Sequence, residues 1–298
     1  MSIKLTDAVM ERRSTVTADI DRLSTEDMLN VINQEDKRIA DAITPCLDEI
    51  TRLVDQAAAA LSRGGRLVIV GAGASGRAGM LAASEFTPQG HGPVVGLIAG
   101  GPQAMLNEKS EAAYDYDRGA LDLQAIGFND KDMLLGLTVG GKTPWVWGAL
   151  RHAWSLGAPV AVLTRNPQSE AAHLASLVIA PQTGAEVVAG YGNPKANAAQ
   201  KLILNMLTTG LAIRSGRVYS NLRVDLDGDT TQWCERQIAI VMEAGSCSRA
   251  VAKAALERCD HHCKTAILMV LTGMEAQDAN ALLAQNNGFV RVALQEAP

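Results

Sequence analysis

The sequence predicts an α/β protein in which a parallel sheet is covered by helices on both faces and is followed by a bundle of small helices. Three observations carry this. From residue 66 to about 181, short apolar runs alternate with helical patterns, as in a parallel sheet packed on both faces. At its start, Arg66-Leu67-Val68-Ile69-Val70 runs through the glycines of 71–76 into a helix of small and apolar residues. After Asn221 the composition changes to short amphipathic segments separated by Gly, Ser or polar turns. Three regions follow: 1–45 an N-terminal arm and helix, 46–228 the sheet domain, and 229–298 a small helical domain.

Taken in order, residues 1–20 are polar and weakly patterned, an arm. Ser24-Thr25-Glu26-Asp27 is a capping-box start for a helix carrying Met28, Leu29 and Ile32. A second helix follows Pro45, with Leu47, Ile50, Val54, Ala57 and Leu61 on one face, and stops at Gly64-Gly65. The strand runs are 66–70, 93–98, 132–139, 159–164 and 177–181; the helices between them are predicted at Ala78–Ala83, Gln103–Ala113, Thr143–Leu156 and Gln168–Ala175. A long helix at 195–215 is apolar nearly all round through Leu202, Ile203, Leu204, Met206 and Leu207, which predicts a central, buried position. Short helices are expected near 232–244, 248–258, 263–271 and 276–286.

Composition removes several classes of function. With 298 residues, 47% hydrophobic and 20% charged, the chain has enough apolar material for a sizeable core. Lys+Arg 27 against Asp+Glu 32 gives −5, so no global positive field attracts nucleic acid. No apolar run approaches bilayer length, and Met1-Ser2-Ile3-Lys4 lacks a signal-peptide apolar stretch, so a cytoplasmic protein without a membrane partner is expected. The five cysteines are odd in number and read as free thiols. Cys259-Asp260-His261-His262-Cys263 lacks a second ligand group and reads as a helix junction, so no metal is expected. Asp225-Leu226-Asp227-Gly228-Asp229 opens like a calcium loop but has Thr230 at the glycine position and Arg236 at the twelfth, and reads as an acidic linker.

The strand-to-helix turn at Gly71-x-Gly73-x-x-Gly76 is a site for an anion, because the first N–H groups of a helix have no intrahelical partner and the helix dipole favours negative charge there. A dinucleotide site would place a carboxylate at the end of the next strand, yet Pro93–Ile98 runs into Ala99-Gly100-Gly101. No Gly-Lys-Ser/Thr closes the turn as in a P-loop. A compact phosphate ester is therefore favoured over NAD. A second cradle is expected at Val139-Gly140-Gly141-Lys142-Thr143-Pro144, where Lys142 supplies charge, Thr143 can cap and Pro144 suits the first helical position. Thr164-Arg165-Asn166-Pro167 reads as a turn and helix start, Thr183-Gly184-Ala185-Glu186 follows the last strand, and Lys195 sits near the start of the long helix.

Several stretches taken together resemble the N-acetylmuramic acid 6-phosphate etherase family of the sugar isomerase (SIS) fold group, over nearly the whole chain. They are Leu23-Ser24-Thr25-Glu26, Gly71-Ala72-Gly73-Ala74-Ser75-Gly76-Arg77, Ala83-Ser84-Glu85, Gly96-Leu97-Ile98-Ala99-Gly100-Gly101, Gly184-Ala185-Glu186-Val187-Val188, Gln200-Lys201-Leu202-Ile203-Leu204-Asn205-Met206-Leu207 and the helical tail. The resemblance implies an SIS-type three-layer αβα sandwich and a cytoplasmic homodimer with no metal or nucleotide cofactor. It also implies a sugar phosphate seated on the Gly/Ser-rich loops. Carried onto this chain, the binding candidates are Gly73, Ala74, Ser75, Gly76, Ser84, Gly140, Gly141, Lys142, Thr143, Glu186 and Lys195.

The family reaction removes the C2 proton of the open-chain sugar, expels D-lactate from C3 and adds water, giving N-acetylglucosamine 6-phosphate in cell-wall amino-sugar recycling. It needs a base and an acid, which the family supplies as two glutamates. One maps to Glu85, expected to lie partly buried among Met80, Leu81 and Phe86 and to protonate the departing lactate. At the second position an ungapped match puts Ala113, beside Tyr114; a shift of two brings in Glu111. Further departures are Ala74 for Thr, Ala82 for Asp, Gly140-Gly141-Lys142 for Ser-Gly-Arg, Tyr191-Gly192-Asn193-Pro194 for Ser-Ser/Thr-Arg-Met/Leu, and Asn197-Ala198 for Gly-Thr. Hydroxyl and guanidinium groups bind phosphate and carboxylate, so these changes describe a kept fold with an altered site. The leading reading is an etherase-like lyase with Glu85 as acid and Glu111 or Glu186 as base. A weakly catalytic sugar-phosphate-binding regulator, or an isomerase on another phosphosugar, stands as the alternative.

Overall fold

The computed structural model describes residues 13–87, 92–107, 110–226 and 231–297, and the chain divides into two compact units, Met1–Thr208 and Thr209–Pro298. The first unit begins with α1 (Thr25–Ile43), whose N-cap Ser24 accepts the Asp27 N–H as the capping sequence predicts. A 3-10 turn at Thr44–Cys46 leads into α2 (Leu47–Ser62), which buries Ile50, Leu53, Ala57 and Ala60 along one face.

Five parallel strands form the sheet: β1 (Leu67–Gly71), β2 (Val94–Ile98), β3 (Met133–Leu137), β4 (Val160–Leu163) and β5 (Leu177–Ile179), in the order β2-β1-β3-β4-β5. Every residue of β1, β3 and β4 is buried, which is why these strands read as continuous apolar runs. Register at the start of the sheet is fixed by charge. Asp132, itself buried, accepts the Arg66 backbone N–H at 2.7 Å and the Arg66 guanidinium at 2.7 Å, and so pins Leu67 opposite Met133.

The crossovers are α3 (Gly73–Phe86), α4 (Tyr116–Ala125), α5 (Pro144–Ser155) and the short α6 (Glu170–His173). The helix expected over Gln103–Ala113 is not present. Gly100 and Gly101 both hold positive φ and Pro102 opens a 3-10 turn at Pro102–Met105, with a second at Ser110–Tyr114. The regular helix starts only at the Asp115 cap, whose Oδ1 accepts from the Arg118 N–H. The misleading apolar spacing included Leu106, which is exposed. On one face of the sheet, Val68, Val70, Leu134 and Val162 pack with Trp145, Val146 and Leu150 of α5 and Leu123 of α4. Two glycines let α4 and α5 cross with backbones in contact: a Cβ on Gly119 would lie 1.9 Å from the Trp145 carbonyl oxygen, and one on Gly148 1.9 Å from that of Tyr116.

The long helix is α7 (Pro194–Arg214). It is not buried all round: Ile203, Leu204, Leu207 and Leu211 are fully enclosed, whereas Leu202 and Met206 are 39% and 42% exposed. Its apolar character therefore serves an interior face and a surface stripe.

In the second unit, β6 (Val218–Tyr219) and β7 (Leu222–Arg223) form an antiparallel hairpin turning through Ser220 at φ 56. Helices α8 (Thr231–Gly245), α9 (Arg249–Arg258), α10 (Cys263–Thr272), α11 (Ala276–Gln285) and α12 (Val290–Glu296) follow. The hairpin and α12 are additions to the predicted elements. Helix α10 is the core of this unit, with Ala266, Ile267, Leu268 and Met269 buried in succession. Cys259–Cys263 is the turn joining α9 to α10, and no disulfide is formed among the described residues. Among the described residues no group of three or more His, Cys, Asp or Glu is placed to hold a metal. The Asp225 carboxylate pairs with Arg217 and Arg223, and the rest of the acidic run, residues 227–230, lies outside the described residues. No helix among the described residues is long and apolar enough to cross a membrane.

The glycine crossing gives a direct test. Gly148→Ala forces α4 and α5 apart and is expected to destabilise the protein by about 1–3 kcal/mol, read as a lower melting temperature.

Candidate functional site

Strand order reverses between β1 and β3: β1 is followed by β2 on one side, and β3 by β4 and β5 on the other. In an open parallel sheet the crevice at the C-terminal ends of such strands is where ligands bind. Both cradles lie there. The chain leaves β1 at Gly71 and enters α3 through the N-cap Ala72, and it leaves β3 through Thr138 and enters α5 through the N-cap Thr143. No side chain among the described residues caps either helix. Their first N–H groups are left for a ligand, and the two helix dipoles converge on neighbouring strand ends.

Each glycine of the first cradle has a steric reason. A Cβ on Gly71 would meet the Gly76 nitrogen at 2.8 Å, one on Gly76 would meet the Gly71 oxygen at 2.6 Å, and Gly73 holds φ 54. Ala74 is exposed at the mouth. Ser75 is buried, and its Oγ donates to Gln200 Oε1 at 3.0 Å, so this hydroxyl ties the cradle to α7. In the second cradle Gly141 holds φ 71, and a Cβ there would lie 2.0 Å from Ser169 Oγ. Its carbonyl accepts the Trp147 indole N–H at 2.9 Å. The Thr143 hydroxyl shares a hydrogen bond with Thr138 Oγ1 at 2.9 Å and does not cap α5. Gly140 is half-buried beside it, and the Lys142 side chain is exposed at the rim.

The remaining candidates hold α7 in place. Glu186 is 2% exposed; its Oε2 accepts the Lys195 N–H at 2.9 Å, and its Oε1 accepts the Ala196 N–H at 3.2 Å and Arg165 Nη1 at 3.3 Å. It is the cap of α7, with both oxygens occupied. Lys195 Nζ, also buried, donates to Glu35 Oε2 at 2.8 Å and to the Ala185 carbonyl at 3.0 Å. It too is committed within the protein. A polar cavity of about 580 Å³ opens on the α1 side of this pair, lined by Glu35, Arg38, Thr183, Gly184 and Lys195 among others. Arg165 Nη2 and Gln200 Nε2 are buried donors without a hydrogen-bond partner among the described residues.

Burial lowers the Arg165 guanidinium from its ordinary value, opposed by the Glu186 charge. The hydrogen bond from Lys195, working against burial and joined by that from Arg38, holds the Glu35 carboxyl below its ordinary 4.5.

Ser84 and Glu85 lie toward the other end of α3, Glu85 about 18 Å along the axis from Gly73 at 1.5 Å per residue. Ser84 Oγ donates back to the Leu81 carbonyl at 2.8 Å. The burial expected for Glu85 is absent: its side chain is 48% exposed, and Oε2 pairs with Lys201 Nζ of α7 at 2.5 Å. Glu111 is exposed on the 3-10 turn Ser110–Tyr114, and the same turn contributes Ala112 to a separate cavity of about 390 Å³ with Gly100, Gly101, Asp115 and Arg118. Gln200, Lys201, Glu35 and Arg165 are not among the site candidates of the sequence. Gln200 and Lys201 lie in a stretch that carries the resemblance and Arg165 in the turn after β4, but their roles come from partners distant in sequence that no local pattern identifies.

Residues 49–154 match the family model described as the glucokinase regulatory protein N-terminal SIS domain. The chain is 51% identical over 297 residues to the N-acetylmuramic acid 6-phosphate etherase of Klebsiella aerogenes, covering 99% of each chain. It is 50% identical to that of Aliivibrio fischeri strain ES114, covering 99% of this chain and all of the relative. It is 49% identical to that of Photorhabdus laumondii, covering 98% of each. Among solved structures it resembles the phosphoheptose isomerase GmhA of Neisseria gonorrhoeae, with a TM-score of 0.51 at 14% identity, covering 63% of this chain and 99% of that one. A protein of E. coli CFT073, solved as a complex, gives a TM-score of 0.50 at 14% identity, covering 67% and 97%. These two likenesses establish the SIS fold.

The Glu35 ion pair makes stability depend on pH in a defined direction. A carboxyl lowered by folding contributes stability that is present above its ordinary value of 4.5 and is lost as pH falls through the lowered folded value. Glu35→Gln removes that contribution. In urea titrations from about pH 6 down to 3, the wild type is expected to lose more stability than the variant.

Proposed function

The chain belongs to the N-acetylmuramic acid 6-phosphate etherase family, and on that premise we propose that it cleaves the D-lactyl ether of N-acetylmuramic acid 6-phosphate. The single observation that carries this reading is identity of about half, over essentially the full length, to proteins of that name. The site geometry supports it. Two uncapped helix N-termini on adjacent strand ends suit a sugar phosphate, and the reading seats the phosphate against Gly73–Gly76 and Gly140–Thr143 with Lys142 at the rim. With the sugar open, the C1 aldehyde acidifies the C2 proton. Removing it and breaking the C3–O bond releases lactate, and water then adds across C2=C3 to give N-acetylglucosamine 6-phosphate. Every step is a proton transfer, an elimination or an addition, so the balance closes without an oxidant or a group donor. The acid of this reading, Glu85, is carried over from the family resemblance; it stands about 18 Å along α3 from Gly73, farther than one sugar phosphate reaches from the cradle.

In the same reading the protein works in the cytoplasm as a homodimer. The exposed Leu202 and Met206 on α7, with Leu81 on α3, form the kind of apolar surface that association removes from water. Light scattering at micromolar concentration is expected to give twice the chain mass; a monomer mass contradicts this part.

The activity test is incubation with N-acetylmuramic acid 6-phosphate in deuterated water, followed by NMR. D-lactate is expected in equal amount to N-acetylglucosamine 6-phosphate carrying deuterium at C2. Saturable binding with neither signal would replace the etherase reading by a sugar-phosphate-binding regulator, and C2 exchange with isomerised sugar but no lactate would replace it by an isomerase.

A further inference from the structure

The cavity of about 390 Å³ lies along β2, the edge strand of the sheet, where Gly96, Leu97 and Ile98 meet Met80 of α3 and Ala125 and Ile126 at the end of α4. Two contacts join it to the first cradle. Ile98 lines the cavity, and its Cγ1 stands 2.6 Å from where a Cβ on Gly76 would be, so one side chain is the wall between the two. Arg77, the next residue of α3, donates to the Met105 carbonyl at 3.1 Å and to the Ala104 carbonyl at 3.2 Å. That holds the Pro102–Met105 turn, which gives Pro102 to the cavity, against the start of α3. Met80 stands one helical turn, about 6 Å along the axis, beyond Gly76.

The walls divide by chemistry. Met80, Leu97, Ala112 and Ile126 are apolar, and the polar groups are Asp115, Arg118 and Asp122. Arg118 is aimed from behind. The indole N–H of the fully buried Trp145 donates to Asp122 Oδ2 at 3.0 Å, and Asp122 Oδ1 accepts Arg118 Nε at 2.7 Å. Among the described residues no hydrogen bond falls on either Arg118 Nη. Asp115 Oδ1 accepts the Arg118 backbone N–H at 3.0 Å, and among the same residues its Oδ2 is unengaged. Donors, an acceptor and an apolar floor together match a group with a carbonyl, an N–H and a short alkyl end, which is a secondary amide. A carboxylate fits less well, because Asp115 and Asp122 outnumber Arg118. A bare ammonium would leave the apolar wall against water.

We propose that this cavity is an acylamino subsite beside the phosphate cradle. The amide oxygen accepts from Arg118, the amide N–H donates to Asp115, and the methyl group lies against Leu97, Ala112 and Ile126. The proposal rests on the sugar-phosphate part of the reading above, and it makes the chain selective for N-acylated over free amino sugars.

The test is titration calorimetry of the full chain with N-acetylglucosamine 6-phosphate and with glucosamine 6-phosphate, for wild type, Arg118→Met and Ala125→Leu, with circular dichroism to verify folding. Ala125 is exposed on the cavity wall, so leucine there occupies the space without entering the core. Wild type is expected to bind the acetylated sugar about 10-fold tighter or more. Each variant is expected to bring that ratio close to one by weakening the acetylated sugar, with the affinity for glucosamine 6-phosphate unchanged. Equal binding of both sugars by wild type overturns the subsite, and so does a variant pair that keeps the wild-type preference or weakens both sugars alike. Wild type that binds neither sugar phosphate removes the sugar-phosphate reading itself, which is a different outcome from binding without preference.

Discussion

The buried carboxylate of Glu186 is the interaction on which the rest of the site depends. An unpaired charge at this depth would be strongly unfavourable, and here it is met by two backbone N–H groups of α7 and by Arg165. Both partners gain from the same contact: the helix N-terminus obtains its cap and the guanidinium its counter-charge. With its first turn fixed, α7 presents Lys195 to Glu35 of α1, Gln200 to Ser75 of α3 and Lys201 to Glu85. Thr17 of the N-terminal segment closes the same loop by donating to the Val187 carbonyl at 2.7 Å.

This arrangement sorts the charged groups by task. Those near the β5 end, Arg165, Glu186, Lys195 and Glu35, are buried and pair with one another or the backbone, with Arg165 Nη2 left as a donor, which makes them a frame. Those at the mouth of the crevice and along the outer part of α3 are not enclosed: Lys142, Glu85 and Lys201 retain access to solvent. In the proposed reading, a ligand at the switch point would meet the backbone N–H groups of α3 and α5 with Lys142 at the rim. Its phosphate would be held by dipoles that need no reorganisation.

Much of this is legible in the sequence wherever the cause is local. The strands read correctly because a strand buried on both faces must be apolar at every position, and the glycine turns into α3 and α5 read correctly because glycines have to accommodate backbone within a few residues of themselves. The 103–113 helix fails because its apolar spacing mimics a buried face, while Gly100, Gly101 and Pro102 set a tighter turn. The frame of the site is illegible for a different reason. Glu35 and Lys195 are 160 residues apart, Ser75 and Gln200 125, and Glu85 and Lys201 116, and a single sequence carries no trace of which distant polar residues will meet. The resemblance points to Glu85 and Glu186 as positions of interest, but the capping role of one and the ion pair of the other emerge only from the packing of α7.

The contrast between Gly141 and Lys142 reaches beyond this one protein. Gly141 is closed to substitution twice over, by its positive φ and by Ser169 directly behind it, whereas the side chain of its neighbour extends into solvent. In such a loop the residue that shapes the backbone and the residue that faces solvent are separate, so one can change without disturbing the other. A change of charge or length at position 142 therefore alters what the loop presents to solvent while the peptide geometry set by Gly141 stays as it is.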